Sequence, residues 1–547
     1  QVLAERMEEV SCPEPQLDTT EVYGYFWGGN RESSKLLRDL GFDFLSIGWP
    51  QDNLGSGYIR NIANLNLYPS SIGSGSTLYK TSLNYRGDAA TDPVRDPCFS
   101  DQERQERVRA FILDRVAQQQ FKYYNCTHHY VGDEQFLGST VCYSQHCLRD
   151  FRLALQQQYA DLNSLNQEWK REFKTWDEVT PVQLSEITDK TALGPWLDHK
   201  MFMAGVFAHQ WLGKIRGYLR EAIPGSTAGL SGTQVPGYGY DWAQLMQHID
   251  FLAYYSGVQT KLVHDFAAPG FVSGQWGGGY VEIHIPREPY QKANQWINLF
   301  LGANLVPNWH GSALNGDLTP TVNLKFYSDN LLELKRGIGK LILSAPLVPP
   351  QVAVLYSQPS LFAAMGTFGA NEWQSSQTAW NALLKDLKID FKFIPYQEFA
   401  RAIPEVKVVI LPAAIALSAQ QRQNLDAFMQ AGGTVIADFA PGHYNEHGTL
   451  QAVPAAEIRP RATDLELAAN PQIGIPALTG RFQVALPDEA VMQVKTVGKG
   501  RMIIFNFLVG SYQKVSLGGV GGETSTVKTG AEQLCQNLRT LVGGILN

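Results

Sequence analysis

The sequence predicts an α/β protein: a (β/α)8 barrel, then a smaller doubly wound domain, then a short β-rich segment. Three observations predict it. Eight short apolar runs alternate with helical patterns before the residue-330 region, which is the layout of a barrel with inserted loops. A second strand–helix alternation begins near Pro349. Between Phe121 and Tyr130 an apolar, aromatic run leads into Gly132-Asp133-Glu134, and barrels keep their chemistry at the C-terminal tips of their strands.

Thr20 to Phe26 reads as the first strand and Arg31 to Leu40 as the helix after it. Phe42 to Ile47 is the second strand and Asn61 to Pro69 supplies the third. Asp101 to Gln119 is a periodic helix opened by the cap-like Ser100-Asp101-Gln102-Glu103. The run to Tyr130 is the fourth strand. Helical patterns follow from Cys147 to about Phe173 and from Asp198 to Ala222. Ser226 to Gly232 is the fifth strand, Trp242 to His248 a helix and Asp250 to Tyr255 the sixth strand. Gly270 to Gln275 is the seventh, Pro289 to Leu301 a helix and Asn304 to Trp309 the eighth.

The second pattern has strands at Gln351–Tyr356, Phe391–Ile394, Val406–Leu411 and Gly433–Phe439. Helices at Glu372–Leu387 and Ala419–Gln430 separate them. From Pro454 the text turns β-rich, with a hairpin-like turn at Val497-Gly498-Lys499-Gly500 and a last helix from Gly530 to Leu546. The expected division is 1–345 for the barrel, 346–450 for the doubly wound domain and 451–547 for a small β-rich domain. No Gly-x-Gly-x-x-Gly follows the first strand, so no dinucleotide cofactor is expected.

Composition narrows the function. The 547 residues are 44% hydrophobic and 18% charged, which suits a well-buried globular enzyme of two or three domains. Net charge is −7 with no basic run, which argues against nucleic acid. No apolar stretch approaches the roughly 20 residues of a membrane span. The chain begins at Gln1, consistent with signal cleavage, and an exported protein is the expectation. Aromatic residues make 11% of the chain, many beside glycines, as a sugar-stacking cleft needs and as ordinary cores also have. Six cysteines are present, five of them before residue 148, and Asn125-Cys126-Thr127 has the pattern of a glycosylation sequon.

Most surface Asp-Glu pairs are solvated. Here the aromatic and polar lead-in (Tyr123, Tyr124, His128, His129, Tyr130) and the late start of the next helix put Glu134 on a rim, as a functional carboxylate.

Gly132-Asp133-Glu134, then Cys142-Tyr143-Ser144-Gln145-His146-Cys147, then Leu162-Asn163-Ser164-Leu165-Asn166-Gln167-Glu168-Trp169 and Thr175-Trp176-Asp177-Glu178-Val179 resemble glycoside hydrolase family 42. That family's β-galactosidases have Asn-Glu at this strand tip, a Cys-rich turn and a Leu-Asn-x-x-Trp helix. Pro97-Cys98 and the Val497-Gly498-Lys499-Gly500-Arg501 turn fit it too. The second domain resembles class I glutamine amidotransferases, but no cysteine lies between Cys147 and Cys535 to serve as a thiol nucleophile. The family's order is barrel, amidotransferase-like trimerisation domain, small β domain, and it implies a homotrimer.

The resemblance implies a retaining, exo-acting β-glycosidase acting on oligo- or polysaccharide by double displacement, with no cofactor. One carboxyl protonates the leaving oxygen and a second, about 5 Å away, attacks the anomeric carbon. Glu134 matches the acid/base on the fourth strand. Three positions depart from the pattern. Asp133 replaces the Asn that binds the sugar 2-hydroxyl. Gln275 stands where the nucleophilic Glu of the seventh strand is expected; it reads first as a substitution introduced to trap ligand, then as a sign that Glu282 serves instead, then as the mark of a carbohydrate-binding pseudoenzyme. Ser144 stands where some relatives have a further zinc-binding Cys. Cys98, Cys142 and Cys147 alone make a poor zinc site, so no metal is expected and a disulfide or free thiols are.

The resemblance also implies a cleft lined by Trp27, Trp49, Trp276 and Trp309. Tyr255 and Arg95 would hold the nucleophile. His264-Asp265 reads as a loop-packing pair, and Asp250 as structural at the barrel's bottom face.

Overall fold

The computed structural model describes residues 18–27, 31–47, 66–69, 85–86, 94–95, 98–119, 128–133, 137–233, 236–278, 288–309, 313–451, 458, 461–467, 477–486, 489–512 and 531–546. The first half carries β1 (Tyr23–Trp27), β2 (Phe42–Ile47), β3 (Asn66–Pro69), β4 (Tyr85–Arg86), β5 (Val94–Arg95), β6 (His128–Asp133), β7 (Thr227–Thr233), β8 (Phe251–Tyr254), β9 (Val272–Gln275), β10 (Gly277–Gly278) and β11 (Leu305–Trp309). One parallel sheet has the order β10-β11-β1-β2-β3 and a second has β6-β7-β8-β9. Their edges meet where Asn304 N donates to Ser273 O at 3.0 Å, one residue ahead of β11. The eight main strands thus follow the order expected from the sequence.

Strand side chains alternate between the two faces. Tyr25, Phe44, Tyr130, Phe251, Val272, Trp276 and Leu305 pack together as one inner cluster. Their neighbours Phe26, Leu45, Val131, Leu252 and Val306 face the helices instead.

Two expected helices are reshaped. The run from Cys147 to Phe173 is two helices, Gln145–Gln158 and Leu162–Trp169. Tyr159 is extended and the Asp161 carboxylate accepts from Ser164 N, so a new N-cap starts the second helix. The run from Asp198 begins earlier, at Gly194, and passes through a π-helical stretch, Phe207–Gly213, before ending at Ala222. His264 and Asp265 lie in a helix, Gln259–Phe266, rather than a loop. Asp250 sits just before β8, accepts from Ala228 N and pairs with Arg216 and Arg220, as its structural reading requires.

The second half carries β12 (Val352–Tyr356), β13 (Phe391–Pro395), β14 (Val408–Leu411), β15 (Thr434–Asp438), β16 (Arg461–Leu467), β17 (Leu478–Val484), β18 (Met492–Val497) and β19 (Gly500–Phe505). Its main sheet has the order β13-β12-β14-β15-β19-β18, parallel except for β18. The sheet extends beyond the expected division at residue 451. The turn at Val497–Gly500 is a hairpin, but its second strand, β19, pairs in parallel with β15 and belongs to the doubly wound sheet. Ile503 and Phe505 are fully buried, as a strand inside a parallel sheet requires. In the second half only β16 and β17 form a separate antiparallel pair among the described residues. No helix among those residues is long and apolar enough to cross a membrane.

Three buried carboxylates of the first half bind donors from the second. Asp241 caps the helix Trp242–His248 and accepts from Tyr396 Oη at 2.9 Å and Gln397 Nε2 at 3.0 Å. Asp265 pairs with Lys261 at 2.5 Å and accepts from Phe393 N at 2.7 Å. Asp198 accepts from Tyr159 Oη, Trp169 Nε1 and His447 Nδ1 at 2.7, 2.8 and 2.9 Å. Around His447 the loop clasps the first half further: Asn445 Nδ2 donates to Glu168, Tyr444 Oη to Lys190 O and Leu193 N to Gly448 O.

Burial opposes charge on His447, but the Asp198 carboxylate outweighs it and lifts the imidazole to about 9. A raised histidine stabilises fully below its ordinary value near 6.5, and that stability fades as pH rises through about 9. His447→Gln should therefore cost up to about 3 kcal/mol near pH 6 and far less near pH 10. Thermal melting at the two pH values checks this; an equal loss at both would remove the ion pair as the cause.

Candidate active site

The site predicted from sequence belongs at the C-terminal ends of the barrel strands. Glu134, Trp49 and Glu282 lie outside the described residues. Glu134 directly follows β6, and Asp133, the last residue of β6, occupies the register opposite Ser231 of β7. Trp27 and Trp309 end β1 and β11 and stand opposite each other in register. Trp309 and Tyr255 are half-buried against the inner aromatic cluster. Trp276 is inside that cluster, its ring 5.5 Å from Tyr25. The structure thus brings Trp27, Trp276, Trp309 and Tyr255 to one end of the strands.

Gln275 is not with them. Val272 and Trp276 face inward, so period-2 alternation turns Gln275 outward, to the helix layer. Its Nε2 donates to Asn294 Oδ1 at 2.7 Å, and Asn298 Nδ2 reaches its Oε1 at 3.4 Å, both from the helix Glu288–Phe300. Tyr254 Oη, on the same side of β8, also donates to Asn298. The Gln275 side chain, expected at the nucleophile position, thus lies as a tie between strand and helix, away from the inner cluster. The inward position before it is Gly274, where an added Cβ would lie 1.9 Å from Leu305 O. No side chain fits there on this backbone, so the described part of β9 presents no carboxylate to the interior. The sequence signal for this was the alternation around Trp276.

Arg95 is buried, with its guanidinium 4.4 Å from the Phe99 ring centroid. Its Nε and Nη1 have no partner among the described residues. Its backbone N donates to Cys142 Sγ at 3.3 Å, which ties β5 to the Cys-rich turn.

Cys98, Cys142 and Cys147 form one buried cluster and are free thiols, so of the two expected states the structure has the unbridged one. Ser144 Oγ is 2.9 Å from Cys98 Sγ and also caps the helix Gln145–Gln158. Hydrogen bonds from Cys147 and Cys98 push the Cys142 thiol well below its ordinary value, and the same bonds push Cys147 well up. Two residues absent from the sequence reading complete the cluster. His199 lies 3.5 Å from Cys147 and burial lowers it to about 3, so it is neutral. Burial lowers Lys200 to about 7, and the nearby thiols partly offset this. Their signal was a His-Lys pair in a helix that is apolar all round, from Trp196 to Ala204. Among the described residues no group of three or more His, Cys, Asp or Glu side chains is arranged to hold a metal ion.

Comparison with known proteins agrees with this architecture. Residues 94–268 match the glycoside hydrolase family 42 model described as beta-galactosidase, and residues 350–459 match the beta-galactosidase trimerisation domain model. Beta-galactosidase BgaA of Clostridium cellulovorans is 23% identical over 347 residues, 55% of this chain and 50% of that protein. Beta-galactosidase bgaB of Geobacillus kaustophilus is 22% identical over 356 residues, 58% of this chain and 52% of that protein. The chain thus spans about half the length of the curated relatives it matches. The crystal structure of a beta-galactosidase from Bacillus circulans sp. alkalophilus shares the fold, with a TM-score of 0.69 at 16% identity over 95% of this chain and 88% of that one.

Gln275→Glu should not create a nucleophile. It places a carboxylate among Asn294 and Asn298 with no cation beside it, at a cost of about 1–3 kcal/mol. A lowered melting temperature with no gain in aryl β-glycoside hydrolysis is the expected outcome. A large gain in rate would restore position 275 to the chemistry.

Proposed function

We propose that this chain, which is glycoside hydrolase family 42-like in sequence, domain order and fold, is a retaining, exo-acting β-glycosidase with a β-galactosidase-like substrate. The observation that carries the reading is the family match across 94–268, with Glu134 one residue beyond the end of β6. The strand order and the β9–β11 edge contact support a closed (β/α)8 barrel, which would gather the tips of β1, β6, β8, β9 and β11 around one sugar.

In this reading Glu134 is the acid/base. With Gly274 closed to side chains and Gln275 turned to the helices, Glu282 is the nucleophile, because it is the first carboxylate after β10. Its carboxylate attacks the anomeric carbon while Glu134 protonates the departing oxygen. Glu134 then takes a proton from water, which displaces Glu282 and releases a sugar of unchanged anomeric configuration. Asp133 takes the role of the family's Asn toward the sugar 2-hydroxyl, which the resemblance around Gly132-Asp133-Glu134 supports. Trp309, half-buried at the same end, is the stacking residue in this reading.

Glu134→Gln should lower kcat on an aryl β-galactoside by about 10²–10⁴-fold, the usual span for a lost acid/base. Glu282→Gln should abolish turnover, with azide restoring it to Glu282→Ala as the α-glycosyl azide. Proton NMR of the first-formed sugar should show the β-anomer. Full activity in the Glu282 variants, or an α-anomer appearing first, would sink the assignment.

The match of 350–459 supports assembly as a homotrimer. Sedimentation equilibrium should give three times the 60.8 kDa chain mass. A monomer at micromolar concentration would end that reading.

A further inference from the structure

The doubly wound sheet has the parallel order β13-β12-β14-β15-β19, in which the second strand lies on one side of the first and all later strands on the other. Sheets of this order carry ligands in the crevice beyond the carboxyl ends of the strands, where the winding reverses. A cavity of about 320 Å³ lies there. Pro359 reaches it just past β12, Tyr396, Gln397, Phe399 and Ala400 just past β13 and Ser418 beyond β14. The first half closes the far side with Asp198 and Met201. The volume is in the range of about 300–1,000 Å³ that small-molecule sites occupy.

The lining decides the ligand class. It holds no lysine or arginine among the described residues, and the Glu446 carboxylate would repel a phosphate or carboxylate. The adjoining end of the helix Ala419–Gln430 does not attract an anion either. Ser418 and Gln421 cap it reciprocally: Ser418 Oγ accepts from Gln421 N, and Gln421 Oε1 accepts from Ser418 N. Asp198 is already neutralised by His447. What remains is amide chemistry. Gln420 donates to Asn424 at 3.1 Å, a bond that leaves the Gln420 carbonyl as an acceptor and the Asn424 amide as a donor. Gln397 spends its Nε2 on Asp241 and keeps its own carbonyl. Neighbouring donors and acceptors without net charge suit hydroxyl groups that both donate and accept.

We infer that this switch-point cavity is a second binding site for a neutral saccharide of one or two rings, separate from the barrel. The inference stands on the cavity's place and lining and does not require the catalytic reading. Galactose and lactose are the probes. Soaked crystals of the full chain should show sugar against Asn424 and Gln397. Saturation-transfer NMR should detect binding that persists in Glu134→Gln and weakens about tenfold in Asn424→Leu, the effect of one lost hydrogen bond. Gln420→Leu, also on the protein surface, guards against a folding defect at position 424. Hydrolysis by the barrel, if present, should be unchanged in both leucine variants. Binding unaffected by either leucine variant, or crystals in which the cavity holds only water or a neighbouring copy of the chain, would overturn the proposal. Loss of hydrolysis with the cavity still binding would instead refute the catalytic reading alone.

Discussion

Three buried carboxylates, Asp198, Asp241 and Asp265, hold the two halves of this chain in one arrangement. A buried carboxylate is costly unless cations or hydrogen-bond donors surround it. Each of the three meets part of that need with donors from the opposite half: the His447 imidazole, the Tyr396 hydroxyl with the Gln397 amide, and the Phe393 backbone. Sliding one half past the other would strand all three. The seam therefore specifies geometry as well as contributing stability, and it places the second sheet's ligand end against the helices of the first half.

The same logic of satisfied polar groups explains the thiol cluster. Three cysteines, a serine, a neutral histidine and a buried lysine share one site, and the hydrogen bonds that Cys142 receives hold its thiol below its ordinary value. Cys142 in turn accepts from the backbone of Arg95. The cluster thereby fixes β5 and the buried guanidinium it carries, without a disulfide.

Strand alternation governs the chemistry more tightly than residue type does. On β9 a shift of one position separates an inward Trp276 from an outward Gln275, and the glycine between Ser273 and Gln275 is required by the close approach of Leu305 O. A carboxamide that resembles a disabled nucleophile in the linear text is, in the folded chain, a rivet to Asn294 and Asn298.

The sequence by itself determined the strand–helix alternation, the order of the domains and Glu134 as the carboxylate after β6. Those features are local: apolar periodicity, cap residues and motif spacing survive in the linear chain. Tertiary structure decided the rest. Which face Gln275 takes depends on its pleat relative to the Leu305 strand. Whether β19 closes a separate β domain or joins the sheet beside β15 depends on a pairing across more than sixty residues of chain. The hydrogen bond that the Tyr159 hydroxyl donates beside the helix break depends on Asp198, a partner 39 residues away. None of these partners is marked in sequence, because burial and pairing are properties of two segments at once, and the linear text shows each segment alone.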